Sequence, residues 1–550
     1  MPIKVMQKIL FAFIILLFVH TVNAQISPTV NMTFRSKMGF GMSCANICGY
    51  AGNGKEFALV GHVQGVAVVD VTNPDMPINI QLIAGLPSQW REIKVYRNYA
   101  YITTEAAGSG LQIVDLSPLL RSNSAILTVN TYKGGDSILT NIRNIHALHI
   151  DTAKGFVYLY GGNSEITIDT STALTNGVAV VLDIRTDPLH PRFVGKSSNS
   201  FVRNNYVHDG YVRGDTLYSG NIYAGLFSII DFRNKKNPIL INTQQTPTAF
   251  NHNSWLSDDS KTLFTTDENQ GSYLAAYDVS NPRDIKYLDK IRTVAGNNAI
   301  VHNTHIINDF AVTSWYTEGV TIVDAHRPQN LVQVAQYDTY GGSATGFSGC
   351  WGVYPYLPSG NLVCSNYTDT MFVLTPKYVR ACYLEGTTTD SLTGLTLSAV
   401  LVKINSADMD KKAESNGQGT YATGQVTAGT VSVTYSKTGY KSKTFTGIAL
   451  TSGRVTVQNV ALVPLGVGVD ALDGQKSVYL FPNPTKNRVY LSENTFKDDQ
   501  LVEILDITGK VVLRSTIGQG RSGFDIQSLI NGDYFLRINK DLILKFSKIN

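Results

Sequence analysis

Four of the ten histidines, His146, His208, His252 and His302, stand in similar polar surroundings. Asn144, Asp209, Asn251, Asn253 and Asn303 are their near neighbours. Imidazole is the commonest protein ligand for transition metals, and it holds anions once protonated. Aligning the segments around these histidines adds Arg91 ahead of His146 and Trp351 or Gly352 after His302, with residues 47–49 as the first member of the column. Arg91, His146, His208, His252 and His302 are therefore the candidate ligand-binding residues, and the four histidines are the candidate metal ligands. A divalent metal is the candidate cofactor. The competing reading is a water-filled polar lining whose histidines hydrogen-bond the asparagines. No catalytic residue is assigned, because there is no Gly-x-Ser-x-Gly elbow, no His-Glu-x-x-His and no repeated carboxylate pair. Asp267–Glu268 is a candidate acidic pair that reads more simply as a turn or loop. His149 and His305, three residues beyond the column, are expected on the opposite strand face.

What positions the column is a repeat. "GVAVVDVTNPDMP" (65–77) returns as "GLFSIIDFRNKKNP" (225–238), "YLAAYDVSNPRDI" (273–285) and "GVTIVDAHRPQNL" (319–331). Glycine opens a turn, the apolar run is a strand buried on both faces, and Asp with Asn or Pro ends it. The aspartates are Asp70, Asp115, Asp183, Asp231, Asp278 and Asp324, separated by 45, 68, 48, 47 and 46 residues. The long interval contains a polar insertion at 163–177, and a degenerate seventh copy lies at 369–376. Six copies of one residue argue a structural role, each Asp capping the turn that leaves its strand. Between the words lie hairpins such as "HNTHIINDFAVTSWY", so each unit supplies four strands. A period near 47 residues with four strands predicts a seven-bladed β-propeller. The first strand of each blade lines the central channel, which would gather the histidines around one opening. Trp90, Trp255, Trp315 and Trp351 suit packing between blades.

Composition narrows the function classes. A net charge of +4 with no long basic run gives no case for nucleic acid. The N-terminus carries Lys4 and Lys8, an apolar stretch at 9–19 and "VNA" before residue 25, the pattern of a cleaved signal peptide over 1–24. That stretch is short for a membrane span, and the mature chain shows no other. The five cysteines, Cys44, Cys48, Cys350, Cys364 and Cys382, read as buried thiols or one or two disulfides.

After residue 376 the repeat stops. Residues 381–463 alternate like a small antiparallel sandwich. They resemble the carboxypeptidase regulatory-like domain, through Gly386, Asp390, Thr393 and Gly394 and the pair Gly439–Tyr440. That resemblance implies a non-catalytic spacer. A linker at 464–477 precedes residues 478–550, which resemble the C-terminal sorting domain (type A) of the type IX secretion system. The carrying residues are Pro482, Asn483 and Pro484, Asp506 with Gly509 and Lys510, Gly532 with Tyr534, and Lys545. This implies signal peptidase and the type IX machinery as partners, and a secreted or outer-membrane surface location reached through the periplasm. "GKEFALVGHVQGVAVVDVTNP", "VHNTHIINDFAVTSWYTEGVTIVD" and "GCWGVYPYLPSGNLVCSNY" resemble the LVIVD-repeat, choice-of-anchor B family over 30–376. Members are exported propellers. Cys48 stands where a Trp is more usual. The whole chain thus reads as all-β, a seven-bladed propeller followed by two small β-sandwiches. Its expected role is a non-catalytic surface scaffold that binds an unidentified protein, glycan or small molecule. The alternative is a metal-dependent enzyme working at the histidine-lined channel.

Overall fold

The computed structural model describes residues 29–168, 171–293, 298–342, 345–405, 413–465, 478–492, 499–518, 523–539 and 542–550, and side chains at 167–168 and 171–173 are left aside. The expected signal peptide, and the linker from residue 466 onward, lie outside these residues. The chain is all-β, built of many small antiparallel sheets, with three short 3-10 turns among the described residues.

Between residues 32 and 376 the described residues form seven four-stranded sheets. Their first strands are Cys44–Gly52, Ile93–Tyr96, Ala147–Asp151, Val207–Arg213, Asn251–Leu256, Val301–Ile307 and Cys350–Tyr354. Each first strand touches the next, and the seventh touches the first, so the contacts close into a cycle. The repeat word is the third strand of its sheet, as at Gly65–Asp70, Leu226–Asp231 and Gly319–Asp324. The seventh sheet takes its fourth strand from the other end of the chain: Met32–Gly39 pairs antiparallel with Thr370–Pro376.

The apolar runs have a direct cause. Each sheet lies between two others, so both faces must be apolar. Phe57, Leu59, Val66 and Val68 of the first sheet pack on Ile93, Ile102 and Val114 of the second, while Ala58, Val60 and Val69 pack on Val363, Met371 and Val373 of the seventh. The same pattern joins each consecutive pair of sheets. The glycine that opens the word is set by close approach of the fourth strand. A Cβ on Gly65 would lie 2.1 Å from the Ile83 carbonyl oxygen, and one on Gly319 2.1 Å from that of Tyr337. All six word aspartates cap their turns as expected. The Oδ1 atoms of Asp70, Asp115, Asp183, Asp231, Asp278 and Asp324 accept the backbone N–H two residues on. The insertion contributes Asn163–Ile168 and Ser171–Asn176, which with Leu139–Asn144 make a separate three-stranded sheet. All five cysteines are buried, and Cys44, Cys48, Cys350 and Cys364 are free thiols.

Beyond residue 380, two four-stranded sheets share a core of Leu384, Val402, Tyr421, Val433 and Tyr435. Asp390 ties its opening motif together. Its Oδ1 accepts the amides of Leu392 and Thr393, and its Oδ2 accepts the Tyr440 hydroxyl at 2.9 Å. This unit docks on the preceding one through Arg327–Glu385 at 3.0 Å and Arg380–Asp324 at 2.7 Å. The C-terminal unit has a three-stranded and a four-stranded sheet around Val489, Ile504, Phe524, Leu536 and Phe546. Its signature residues hold this fold together. Asn483, between Pro482 and Pro484, accepts the Ser547 amide and donates to the Lys545 carbonyl. Asp506 Oδ1 accepts the Lys510 amide around the Gly509 turn, the Tyr534 hydroxyl donates to the Ile530 carbonyl, and Lys545 pairs with Asp533 at 2.7 Å. Gly532 starts the strand Gly532–Ile538.

Candidate functional site

A β-bulge recurs at the start of the first strands and decides where the column points. The register shifts between Val207 and Asp209, Asn251 and Asn253, Val301 and Thr304, and Cys350 and Gly352. His208, His252, His302 and Trp351 are the residues skipped. A bulge re-aims side chains and resets the alternation of the strand. The result is an arc of rings, with His146 to His208 at 4.1 Å between centroids, His208 to His252 at 4.4 Å, His252 to His302 at 4.2 Å and His302 to Trp351 at 5.2 Å. In the first sheet the shift falls between Cys44 and Ile47, so the lining residue is Asn46 and not one of 47–49 as expected.

The arc forms one wall of a cavity of about 440 Å³ to which all seven sheets contribute. Trp351, Tyr316, Phe347 and Tyr367 give it an aromatic side, and Glu268, Glu92 and Asp209 an acidic one. Arg91 borders it, but its guanidinium is spent on the carbonyls of His62, Val63 and Leu86. Burial lowers that guanidinium to about 10. His146 is held by Glu105, with Nδ1 and Oε1 2.5 Å apart. His302 Nδ1 lies 2.6 Å from the Trp351 carbonyl oxygen, which directs Nε2 toward Glu268 Oε1 at 3.6 Å. His252 Nε2 is 3.7 Å from Glu268 Oε2, and the Tyr316 hydroxyl donates to Glu268 Oε1 at 2.6 Å. The donor atoms of His208, His252 and Glu268 lie within 4.8 Å of one another.

Burial governs the protonation of this wall. It lowers His208 and His252 well below the usual histidine range and His302 to about 3, so the imidazoles are neutral bases at neutral pH. It raises Glu268 to about 7. Asp209, buried and beside Glu92, rises to about 6 while accepting Asn253 Nδ2 at 2.7 Å.

Sequence reasoning placed the histidines and missed the carboxylate. Glu268 is not an ordinary turn residue. It follows the second strand of its sheet, Thr262–Asp267, just as Tyr316 follows Phe310–Trp315 and Tyr367 follows Leu362–Asn366. Aligning second-strand ends would have revealed this second lining column.

The expectation for His149 and His305 is corrected: His146 stands just before its strand begins and His302 lies in the bulge between Val301 and Thr304, so neither is a regular strand member from which to count three residues on. They do not leave the axis. His149 packs on Tyr211 at 4.6 Å and Trp255 at 5.5 Å, and Trp255 on His305 at 4.3 Å and Tyr356 at 6.2 Å. His149 and Trp255 belong to sheets that are not neighbours, so these rings meet across the axis. They fill it on the far side of the histidine arc. Burial, and after it the charge of nearby Lys94, which pairs with Glu92, disfavours protonation of both histidines. Trp315 packs in the core between the fifth and sixth sheets, as expected, whereas Trp90 is exposed beside the cavity.

Three segments match known families. Residues 89–128 match the LVIVD repeat, which fits a propeller. Residues 383–463 match the carboxypeptidase regulatory-like domain. No curated protein matches the chain. No helix among the described residues is long and apolar enough to cross a membrane. Residues 479–549 match the secretion system C-terminal sorting domain, which supports type IX sorting of this chain as a secreted or cell-surface protein.

Proposed function

We propose that this chain is an exported, non-catalytic binding protein whose ligand site is the central cavity of a seven-bladed β-propeller spanning 30–376. The closed cycle of first strands and the apolar clusters between consecutive sheets support the propeller. We further read 381–463 as a β-sandwich spacer, 464–477 as a linker, 478–550 as a β-sandwich sorting domain and 1–24 as a cleaved signal peptide. The resemblance of the repeats to choice-of-anchor B proteins accords with surface attachment through the type IX machinery.

One observation carries the binding reading: a cavity of about 440 Å³, walled by all seven sheets, combines aromatic faces with neutral imidazoles and carboxylates. Few convergent polar groups in a largely preformed pocket are the usual build of a small-molecule site. An enclosed cup favours a small ligand, or the tip of a glycan, over a flat protein surface. A metal-dependent enzyme remains the second reading. It is favoured by the donor atoms of His208, His252 and Glu268, which lie within 4.8 Å of one another beside the cavity.

The test is a thermal-shift screen of small carboxylates, amines and saccharides against the wild-type chain and Trp351→Ala. Compounds that raise Tm in the wild type and lose the effect in the variant support the cavity. A hit set indifferent to Trp351→Ala would move the site to the outer loops.

A further inference from the structure

The trio at the arc's centre has the spacing of a coordination sphere, and this rests on the cavity being the functional site. Two observations point the same way. First, Glu268 stands 3.6–3.7 Å from the Nε2 atoms of His302 and His252. That is too long for a hydrogen bond. Two donors each about 2.0–2.1 Å from one ion at a tetrahedral angle stand about 3.3–3.4 Å apart, within a small side-chain adjustment of what is seen. Second, one donor atom from each of His208, His252 and Glu268 lies within 4.8 Å of the other two, close enough to share one ion.

The surroundings are those of an oriented first sphere. The Tyr316 hydroxyl fixes Glu268 Oε1 and leaves Oε2 toward His252. The Trp351 carbonyl fixes His302. His146, pinned by Glu105, and His302 stand outside the trio. This narrows the expectation of four histidine ligands to two of them plus a carboxylate.

We infer that His208, His252 and Glu268 bind one first-row divalent transition metal of the zinc type, with an open coordination position facing the cavity. Two imidazoles with one carboxylate suit zinc, cobalt, iron(II) or nickel, whereas calcium and magnesium prefer all-oxygen sites. Three protein ligands leave a vertex for water or for a donor atom of the bound small molecule. Tyr316 is a positioning residue that acts through Glu268.

The experiment uses the untagged full chain, stripped with chelator and titrated with Co²⁺. Stoichiometry is read by elemental mass spectrometry and geometry by visible absorption. The expected result is one ion per chain, with the intense bands of a four- or five-coordinate site. Affinity should fall at least about 100-fold in His252→Ala and Glu268→Gln, and about tenfold in Tyr316→Phe, as for loss of an outer-shell partner. His190→Ala, at an exposed histidine, should leave it unchanged. Should His252→Ala not fold, Glu268→Gln and Tyr316→Phe carry the test, each checked by circular dichroism. Failure of the wild type to hold Co²⁺, or equal binding by Glu268→Gln, overturns the inference. If small molecules still bind the metal-free cavity in a Trp351-dependent way, the metal inference alone falls and the cavity reading stands.

Discussion

Two columns of the same repeat behave in opposite ways. The aspartate column is dispersed. Each of its six members serves its own turn, with an amide two residues away, and none depends on another. The histidine column converges. Its four rings stand 4.1–4.4 Å apart in succession, and two of them, His252 and His302, share Glu268. Repetition in a closed cycle therefore yields two products from one rule. Positions near the outer turns multiply a local hydrogen bond, and positions near the axis add up to a single composite surface. Dispersed positions should contribute additively to stability, and convergent ones should couple.

The largest effect should come from the convergent side. Trp255 touches Tyr211, His149, His305 and Tyr356, so Trp255→Ala should cost about 3–4 kcal/mol by chemical denaturation. Combined with His305→Ala it should depart from additivity by more than about 0.5 kcal/mol. An additive double variant would mean that the rings are neighbours without being a unit. Next comes the dispersed aspartate that also braces the following domain. Asp324 is fully buried and accepts Arg380 and the Ala381 amide of the following domain. Asp324→Ala should cost about 2–3 kcal/mol, because it strands buried donors. It should also speed proteolysis near residue 380. Smaller still, Asp115→Ala and Asp231→Ala should each cost about 1 kcal/mol as lost caps. Their sum should be additive within about 0.5 kcal/mol in thermal unfolding.

The smallest effect is that of acid on the exposed caps. The hydrogen bond and ion pair with Arg233 hold Asp231 below the usual carboxylate range, and the Ser280 hydroxyl does the same for Asp278. A depressed carboxylate contributes stability above its unfolded value, about 3.9, and loses it as pH falls through the folded value. Tm should therefore drift downward below about pH 4. The drift should be shallower in Asp231→Asn, and a slope identical to wild type would remove this cap from the account.

Much of the architecture was legible because it is written as period and pattern. The word strands, their glycines and their capping aspartates stand where repetition placed them, since each answers to a local constraint copied many times. The histidine arc was legible for the same reason. Glu268 was not, because only Tyr316 and Tyr367 share its place after a second strand, and those residues differ in chemistry. His149 and His305 were misplaced because the count began from residues outside the regular ladder, His146 before its strand and His302 within a bulge, and neither leaves a mark in composition. The cysteines left buried thiols and disulfides both open, and in the fold Cys44 and Cys48 lie in different inter-sheet cores.

The seventh sheet has a consequence in time. Met32 pairs with Pro376, 376 − 32 = 344 residues away. Closing so long a loop in an unfolded chain would cost about 5 kcal/mol of entropy. Once the intervening sheets have formed, the two ends are carried close together and the cost largely disappears. Local hairpins should therefore assemble first and the closing strand dock last. Until it does, Thr370–Pro376 offers a free edge that can pair with another chain. The interval between export and docking is thus the period in which this protein is most exposed to aggregation. A chain lacking residues 29–39 would remain in that state, with the edge of Thr370–Pro376 unpaired.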